Sequence, residues 1–315
     1  MGNPIVSAEF IRLMDTNLDK VSENGLKPYQ EKINEIFGKL SSDKKWTNLY
    51  GVGDVPDIPK FTGNLDFLSV APGFFRQVEP AVFAGGLQFE KQFIDDNQYD
   101  VLTDRQAGLV RALGRTKEKY AARALGYGFT NNPDFITQDE EGVAMFSSSH
   151  TTKSGVSTAT GFDNTYNVAV SKSSIAAMAI KFKMLRTDIG ELYDSEPDTI
   201  ICPTALTDTV CEALGYDARS GAMSEKDPDS ANHRINSQYK RFKVIEWKRL
   251  DEFSTKNWFM VNEAMMKKYL IWIDRIAQET NTWTDNYTFA ALQSIYSRFG
   301  WGYQDWRFGI GAQVS

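Results

Sequence analysis

Residue types that usually carry catalysis or bind metals are scarce in this chain. Its 315 residues include two histidines, His150 and His233, and two cysteines, Cys202 and Cys211. The cysteines form no CxxC pair, which argues against a structural zinc site. They are also too few for a disulfide framework, so a reducing compartment is the simpler assumption. No stretch approaches the ~20 apolar residues of a membrane span, so no membrane partner is expected. The N-terminus has no basic region followed by an apolar run, and no signal peptide is expected. Val6 stands where N-myristoylation requires Ser or Thr. Gly51-Val-Gly53 and Gly309-Ile-Gly311 lack the longer glycine fingerprint of a phosphate loop, and there is no Gly-Lys-Ser/Thr. A net charge of -6 gives no bulk attraction to nucleic acid. The chain contains no internal repeat and no low-complexity tract.

The remaining polar clusters point to structure rather than chemistry. Ser147-Ser-Ser-His150 pairs nucleophiles with a base, but neighbours on an extended segment face opposite ways. A working triad must converge with an acid and an oxyanion hole. A loop or intersubunit hydrogen-bonding role is preferred for His150, with a serine hydrolase built on Ser149 and His150 as a minor alternative. Asp95-Asp96, Glu140-Glu141 and the pair Asp227 and Asp229 read as caps or solvated turns, and none has the ligand order of an EF-hand. No cofactor is implied.

Aromatic residues and an unusual extended segment are plentiful instead. Aromatics make up 13% of the chain, with 20 Phe, 13 Tyr and 7 Trp. From Trp46 to Asp100, Pro56, Pro59, Pro72 and Pro80 forbid a continuous helix, and six glycines add turns. The segment still carries Phe61, Leu65, Phe67, Leu68, Val70, Phe74, Phe75, Val78, Val82, Phe83, Leu87 and Phe89. It is too apolar for a disordered linker and too long for an ordinary connection. An arm that buries its aromatics on a neighbouring copy reconciles these facts. Its limbs read as strands, Gly63–Val70 and Gly73–Phe93. On that reading, deletion of residues 52–80 leaves a folded subunit that does not assemble.

One or two helices are expected before the arm, within residues 6–40 on either side of Pro28, packed on their own body or crossing onto a neighbour. After it, Asp95-Asp-Asn97 opens a helix that runs to about Leu125, on the order of 40 Å long. Its apolar stripe is Leu102, Leu109, Leu113, Thr116, Tyr120 and Ala124. Arg105, Arg111, Arg115, Lys117, Lys119 and Arg123 make the rest basic, a solvated face or, as the less favoured reading, a nonspecific DNA contact. Gly108 and Gly114 each weaken the helix by roughly 1 kcal/mol, which close packing would justify. A strand at Val143–Phe146 and a helix at Asn167–Leu185 follow. Next comes a buried strand, Asp198–Cys202, and a short helix capped by Thr204. After a polar excursion from Gly215 to Asn236 the chain turns to strands at Phe242–Trp247, Trp258–Val261, Tyr269–Ile273, Tyr287–Phe299 and Trp306–Ile310. The class is α+β, helices early and strands late.

This order of parts resembles the major capsid protein of tailed bacteriophages. Local words match as well. Phe146-Ser-Ser-Ser-His150 followed by Gly155 is similar to the family's F-S-x-x-H segment. Ile200-Ile-Cys-Pro-Thr-Ala-Leu206 is similar to the strand-to-helix entry of its axial domain. Asn257-Trp-Phe259 and Arg298-Phe-Gly-Trp-Gly-Tyr-Gln-Asp-Trp-Arg307 resemble its closing strands. The resemblance implies a helical N-terminal arm (1–45), an extended loop (46–96), a peripheral domain with a spine helix (97–196, the helix at 97–127), an axial domain (197–280) and returning C-terminal strands (281–315). It implies a structural, non-enzymatic subunit that assembles through hexamers and pentamers into an icosahedral shell around double-stranded DNA. The implied partners are further copies of itself, portal, scaffolding and decoration proteins, and packaged DNA. The implied location is the virion, with the host cytoplasm during assembly. An encapsulin-like nanocompartment shell is the alternative within the same fold. Expected intersubunit contacts are Phe61, Phe67, Phe74, Phe75 and Phe83 from the arm, each worth about 1.5–3 kcal/mol when fully buried. Arg298, Asp305 and Arg307 are candidate ion-pair partners between or within subunits. No Lys–Asn pair is assigned to covalent cross-linking, and no scaffolding segment or cleavage site is recognised.

Overall fold

The structure is a computed structural model. It describes residues 25–61, 63, 65, 67–90, 99–131, 134–215, 238, 240–285, 287–288 and 290–314. The expected helix before Pro28, the helix-start cluster Asp95-Asp96, the excursion with Asp227 and Asp229, and His233 lie mostly or wholly outside these residues. The chain divides into two compact units. One draws on the segments up to Thr47, Glu79–Ala121 and Trp272–Trp301, and the other on Asn48–Val78, Ala122–Ile271 and Gly302 onward.

The first unit packs helices on a sheet. Helix α1 covers residues 25–36. Strands β1 (Gly38–Ser41), β4 (Ala81–Phe89), β9 (Leu270–Thr284) and β10 (Ala291–Tyr303) form a sheet of order β1-β9-β10-β4. β4 runs antiparallel to β10, with Phe83 opposite Ser297 and Ala81 opposite Phe299. The long helix α2 spans Tyr99–Gly126. Within this unit Phe83 stacks on Phe299 at 4.3 Å, and Trp272 stacks on the same ring at 5.1 Å.

The α2 stripe contains a surprise. Lys117, expected on the solvated face, is only 3% exposed. Its ammonium donates to the Ala277 carbonyl at 2.8 Å and sits 3.5 Å from Asp274. Burial lowers its pKa, and Asp274 opposes that shift. The two helical glycines also differ. A methyl on Gly114 would overlap the Tyr29 ring, whereas one on Gly108 would meet nothing within 4 Å. Close packing therefore accounts for Gly114 alone, through a side chain. Gly108→Ala is expected to stabilise the subunit by about 1 kcal/mol and Gly114→Ala to destabilise it; paired thermal melts check both.

The second unit holds two sheets. Strands β6 (Thr199–Cys202), β7 (Lys243–Glu246), β8 (Trp258–Val261) and β11 (Gly309–Ala312) form the order β11-β8-β6-β7, in which only β6–β7 is parallel. Every residue of β6, β8 and β11 is buried, as their unbroken apolar runs require. Helix α3 (Lys172–Lys183) packs Ile175, Met178 and Phe182 into this core beside Ile200, Trp258 and Trp306. It begins later than its periodicity suggests because Ser171 and Ser174 form a capping box there. Helix α4 (Thr207–Leu214) follows a 3₁₀ turn, Thr204–Leu206. Thr204 does not cap it. The Asp251 carboxylate, distant in sequence, accepts from the Thr204 and Ala205 amides at 3.1 and 3.3 Å. Helix α5 (Glu263–Tyr269) is capped by Asn262 and feeds β9.

The second sheet has the order β2-β3-β5, from β2 (Thr47–Val52), β3 (Pro72–Val78) and β5 (Ile136–Asp139). The expected strand at Val143–Phe146 is absent. Those residues are irregular, pinned by Phe146 N–H to the Gly128 carbonyl at 2.8 Å, and β5 pairs with β3 instead. The expected limb Gly73–Phe93 is split at Glu79-Pro80 into β3 and β4, which join different sheets. The described residues of Gly63–Val70 form no strand; none of them finds a partner edge.

Candidate assembly site

The arm leaves the second unit between β2 and β3. The described residues of 53–71 have no regular secondary structure. Phe67 is 92% exposed and Phe61 71%, and Val55, Ile58, Leu65, Leu68 and Val70 are exposed as well. A run of large apolar groups in water is what interaction sites present. Phe74 and Phe75 lie at the root and are half-buried. Phe75 meets Tyr50 with ring centres 5.2 Å apart, and the Lys153 ammonium lies 5.3 Å from the centre of the Phe74 ring. Phe83 is not on the free limb: it belongs to β4 and packs on Phe299 and Tyr120 of its own chain.

The root is held by a buried ionic network. The Arg76 side chain is 2% exposed and the Glu141 side chain 0%. Arg76 donates to Glu141 at 2.6 Å and to the Gln304 carbonyl at 3.2 Å. Its Nε lies 3.1 Å from Asp139 as an ion-pair contact, and its guanidinium covers the Tyr303 ring at 4.0 Å. Burial lowers the Arg76 pKa, but Tyr303, Asp139 and Glu141 outweigh it and the net shift is upward. Burial pushes the Glu141 carboxyl up, yet His150, Arg76 and the Thr151 amide hold it below its ordinary range. Glu141 is therefore a structural anchor, not the solvated turn residue the sequence suggests.

His150 belongs to the same network. It is 1% exposed, with Nδ1 2.9 Å from Glu141 Oε1 and Nε2 3.1 Å from Asn164 Oδ1. Its ring stacks on Trp306 at 4.1 Å. Asn164 is oriented by donating to the carbonyls of Met145, Trp306 and Gly309. Both ring nitrogens are thus committed to oxygen acceptors, while Ser149 Oγ meets Ser147 Oγ at 3.2 Å. No nucleophile–base pair exists here, so the hydrolase alternative loses its site.

A pH dependence follows from Glu141. Its folded pKa lies below the ordinary 4.5, so its stabilisation is complete above that value and is lost as pH falls through the folded pKa. Urea unfolding of the wild type is expected to weaken more steeply between pH 5 and 3 than that of Glu141→Gln (about these limits, from the linkage relation).

Of the C-terminal candidates, Asp305 and Arg307 pair within the chain. Arg307 donates to Asp305 at 3.0 and 3.2 Å and to the Arg186 carbonyl at 2.7 Å. Arg298 is half-buried, and its shielded Nε has no hydrogen-bond partner among the described residues. On α2, Arg123 pairs with Asp134 at 2.6 Å, and Arg111, Arg115 and Lys119 form an exposed ladder at four-residue spacing. Among the described residues no cluster of His, Cys, Asp or Glu is suited to a metal, and no helix is long and apolar enough to cross a membrane.

Comparison with known proteins decides the family. No curated sequence matches the chain. A family model described as phage capsid protein matches residues 76–311. The chain belongs to that family. This capsid protein also shares its fold with solved phage shells. A chain of the bacteriophage JBD30 procapsid superposes with a TM-score of 0.53 at 12% identity, covering 97% of this chain and 75% of that one. The Cyanophage Pam1 capsid gives 0.55 at 13%, covering 89% and 88%. Microbacterium phage Oxtober96 gives 0.53 at 10%, covering 89% and 90%. The capsid protein has the α+β fold of tailed-phage major capsid proteins and is a structural component of the virion. It is not an enzyme.

Proposed function

We propose that this capsid protein closes hexameric and pentameric rings by laying the arm of one copy over the long helix of the next, and that these rings form an icosahedral shell around double-stranded DNA. The observation that carries the reading is the exposed limb: Phe61 and Phe67 lie in water on a segment that buries neither against its own subunit. Burying the two rings on a neighbour releases on the order of 3–6 kcal/mol per subunit. Phe74 and Phe75 extend the contact at the root, and Phe83 offers the part of its ring that Phe299 leaves open. Arg298 is the C-terminal group with capacity left for an intersubunit partner, since Asp305 and Arg307 engage each other.

The domain scheme of the family is carried over on the same terms: arm 1–45, extended loop 46–96, peripheral domain 97–196, axial domain 197–280 and returning strands 281–315. Portal, scaffolding and decoration proteins are the further partners, and assembly takes place in the host cytoplasm. Packaged DNA meets the shell through nonspecific phosphate contacts, for which the ladder Arg111, Arg115 and Lys119 is the candidate. The nanocompartment alternative shares the fold, but the family matched is that of phage capsids.

Negative-stain microscopy of the expressed chain is expected to show shells or ring-shaped capsomers. A photo-crosslinking residue at position 67 gives the sharper test, because it works in any oligomer. Crosslinks to a second copy are expected; crosslinks confined to the same chain overturn the reading.

A further inference from the structure

Among the described residues, a single hydrogen bond ties residues 54–71 to the rest of the chain: the Asp54 amide donates to Asp188 Oδ1 at 2.9 Å. Asp188 lies on a tight turn, Thr187–Glu191. The Thr187 amide donates to the Glu191 carbonyl at 2.8 Å, and Gly190 adopts a φ of +90°. The Asp188 carbonyl in turn accepts from the hydroxyls of Thr152, at 3.2 Å, and Ser154. The acceptor is thus mounted on a braced element.

The two limbs of the arm also meet there without side chains between them. A Cβ on Gly53 would overlap the Ala71 carbonyl oxygen and would lie 2.6 Å from Asp188 Oδ2. A Cβ on Gly73 would lie 2.5 Å from the Gly51 carbonyl carbon. Gly53 is held between the returning limb on one side and the Asp188 carboxylate on the other. In this neck neither limb can turn about its axis without breaking the Asp54–Asp188 bond or colliding with the other backbone.

We propose that Asp188, with Gly53 as its seat, is the positioning residue that aims the arm. It acts without touching the neighbouring subunit, by fixing the direction in which residues 54–71 leave the body. The proposal deepens the assembly reading and rests on it for its consequence, but the latch itself is a property of the isolated subunit.

The test compares Asp188→Ala with Asp188→Asn, which keeps an acceptor oxygen. In isolated subunits, amide exchange at Asp54 is expected to quicken by roughly tenfold in Asp188→Ala, as for loss of one hydrogen bond to a charged acceptor, and to stay near wild type in Asp188→Asn. Melting temperature is expected to be unchanged in both. In assembly, Asp188→Ala is expected to give fewer and misshapen particles and Asp188→Asn to restore them. Gly53→Ala, which leaves the carboxylate in place but pushes the limbs apart, is expected to reproduce the defect. Unchanged Asp54 exchange in Asp188→Ala overturns the latch. Equal assembly defects in the Ala and Asn variants overturn the positioning role. Crosslinks from position 67 confined to the same chain, with exchange at Asp54 responding as described, count against the assembly reading and leave the latch standing.

Discussion

Replacing residues 54–71 by a short Gly-Ser link is expected to give a subunit that folds and melts like the wild type and forms no shells. The ends of the excised limb already touch, since Gly53 lies against the Ala71 carbonyl, so a short link spans the gap without strain. Among the described residues no secondary structure is lost, because β2 ends at Val52 and β3 starts at Pro72. The wider deletion of residues 52–80 suggested by the sequence is a poorer experiment. It removes β3, which pairs with β5, and takes Arg76 and Val78 out of the core. Size-exclusion chromatography, thermal melting and microscopy of the 54–71 replacement decide the matter. Shells of normal size and yield would mean that the exposed aromatics are not the intersubunit clasp.

Arg76→Ala is expected to destabilise the isolated subunit by about 3–5 kcal/mol, as for removal of one partner from a buried ion pair. The change strands the Glu141 carboxylate, whose side chain has no exposure, and uncovers Asp139 and the Tyr303 ring. With total stabilities typically about 5–15 kcal/mol, roughly a fifth or more of the fold's margin is at stake. Arg76→Lys is expected to recover only part of the loss. An ammonium is a point charge, whereas the guanidinium fork reaches Glu141, Asp139 and the Gln304 carbonyl together. Urea unfolding at neutral pH measures both variants. A loss under about 1 kcal/mol for Arg76→Ala, the level of an exposed pair, would show that the network is dispensable.

Much of the fold could be read from residue order because local patterns agreed with tertiary placement. The helix Tyr99–Gly126, the strand Trp258–Val261 and the buried strand through Ile200 and Ile201 each carry an apolar period that burial then satisfies. The places that escaped prediction are those where a distant partner overrides a local pattern. β5 has one apolar residue in Ile-Thr-Gln-Asp and is a strand only because β3 offers an edge. β9 extends through the polar run Gln278–Thr282 to Thr284 because β10 continues beside it.

The assembly site divides the same way. Composition alone marked the arm, since prolines and glycines interleaved with phenylalanines admit neither a helix nor a solvated linker, and the exposed rings follow from that. The sequence contains no sign that Lys117 is buried, that Glu141 and His150 are locked together, or that Asp188 reaches the arm 134 residues away. A charged residue looks the same in a sequence whether water or a countercharge surrounds it. Only the folded chain decides which it is: at Arg76 and Glu141 the paired charges outweigh burial, whereas at Lys117 burial outweighs Asp274.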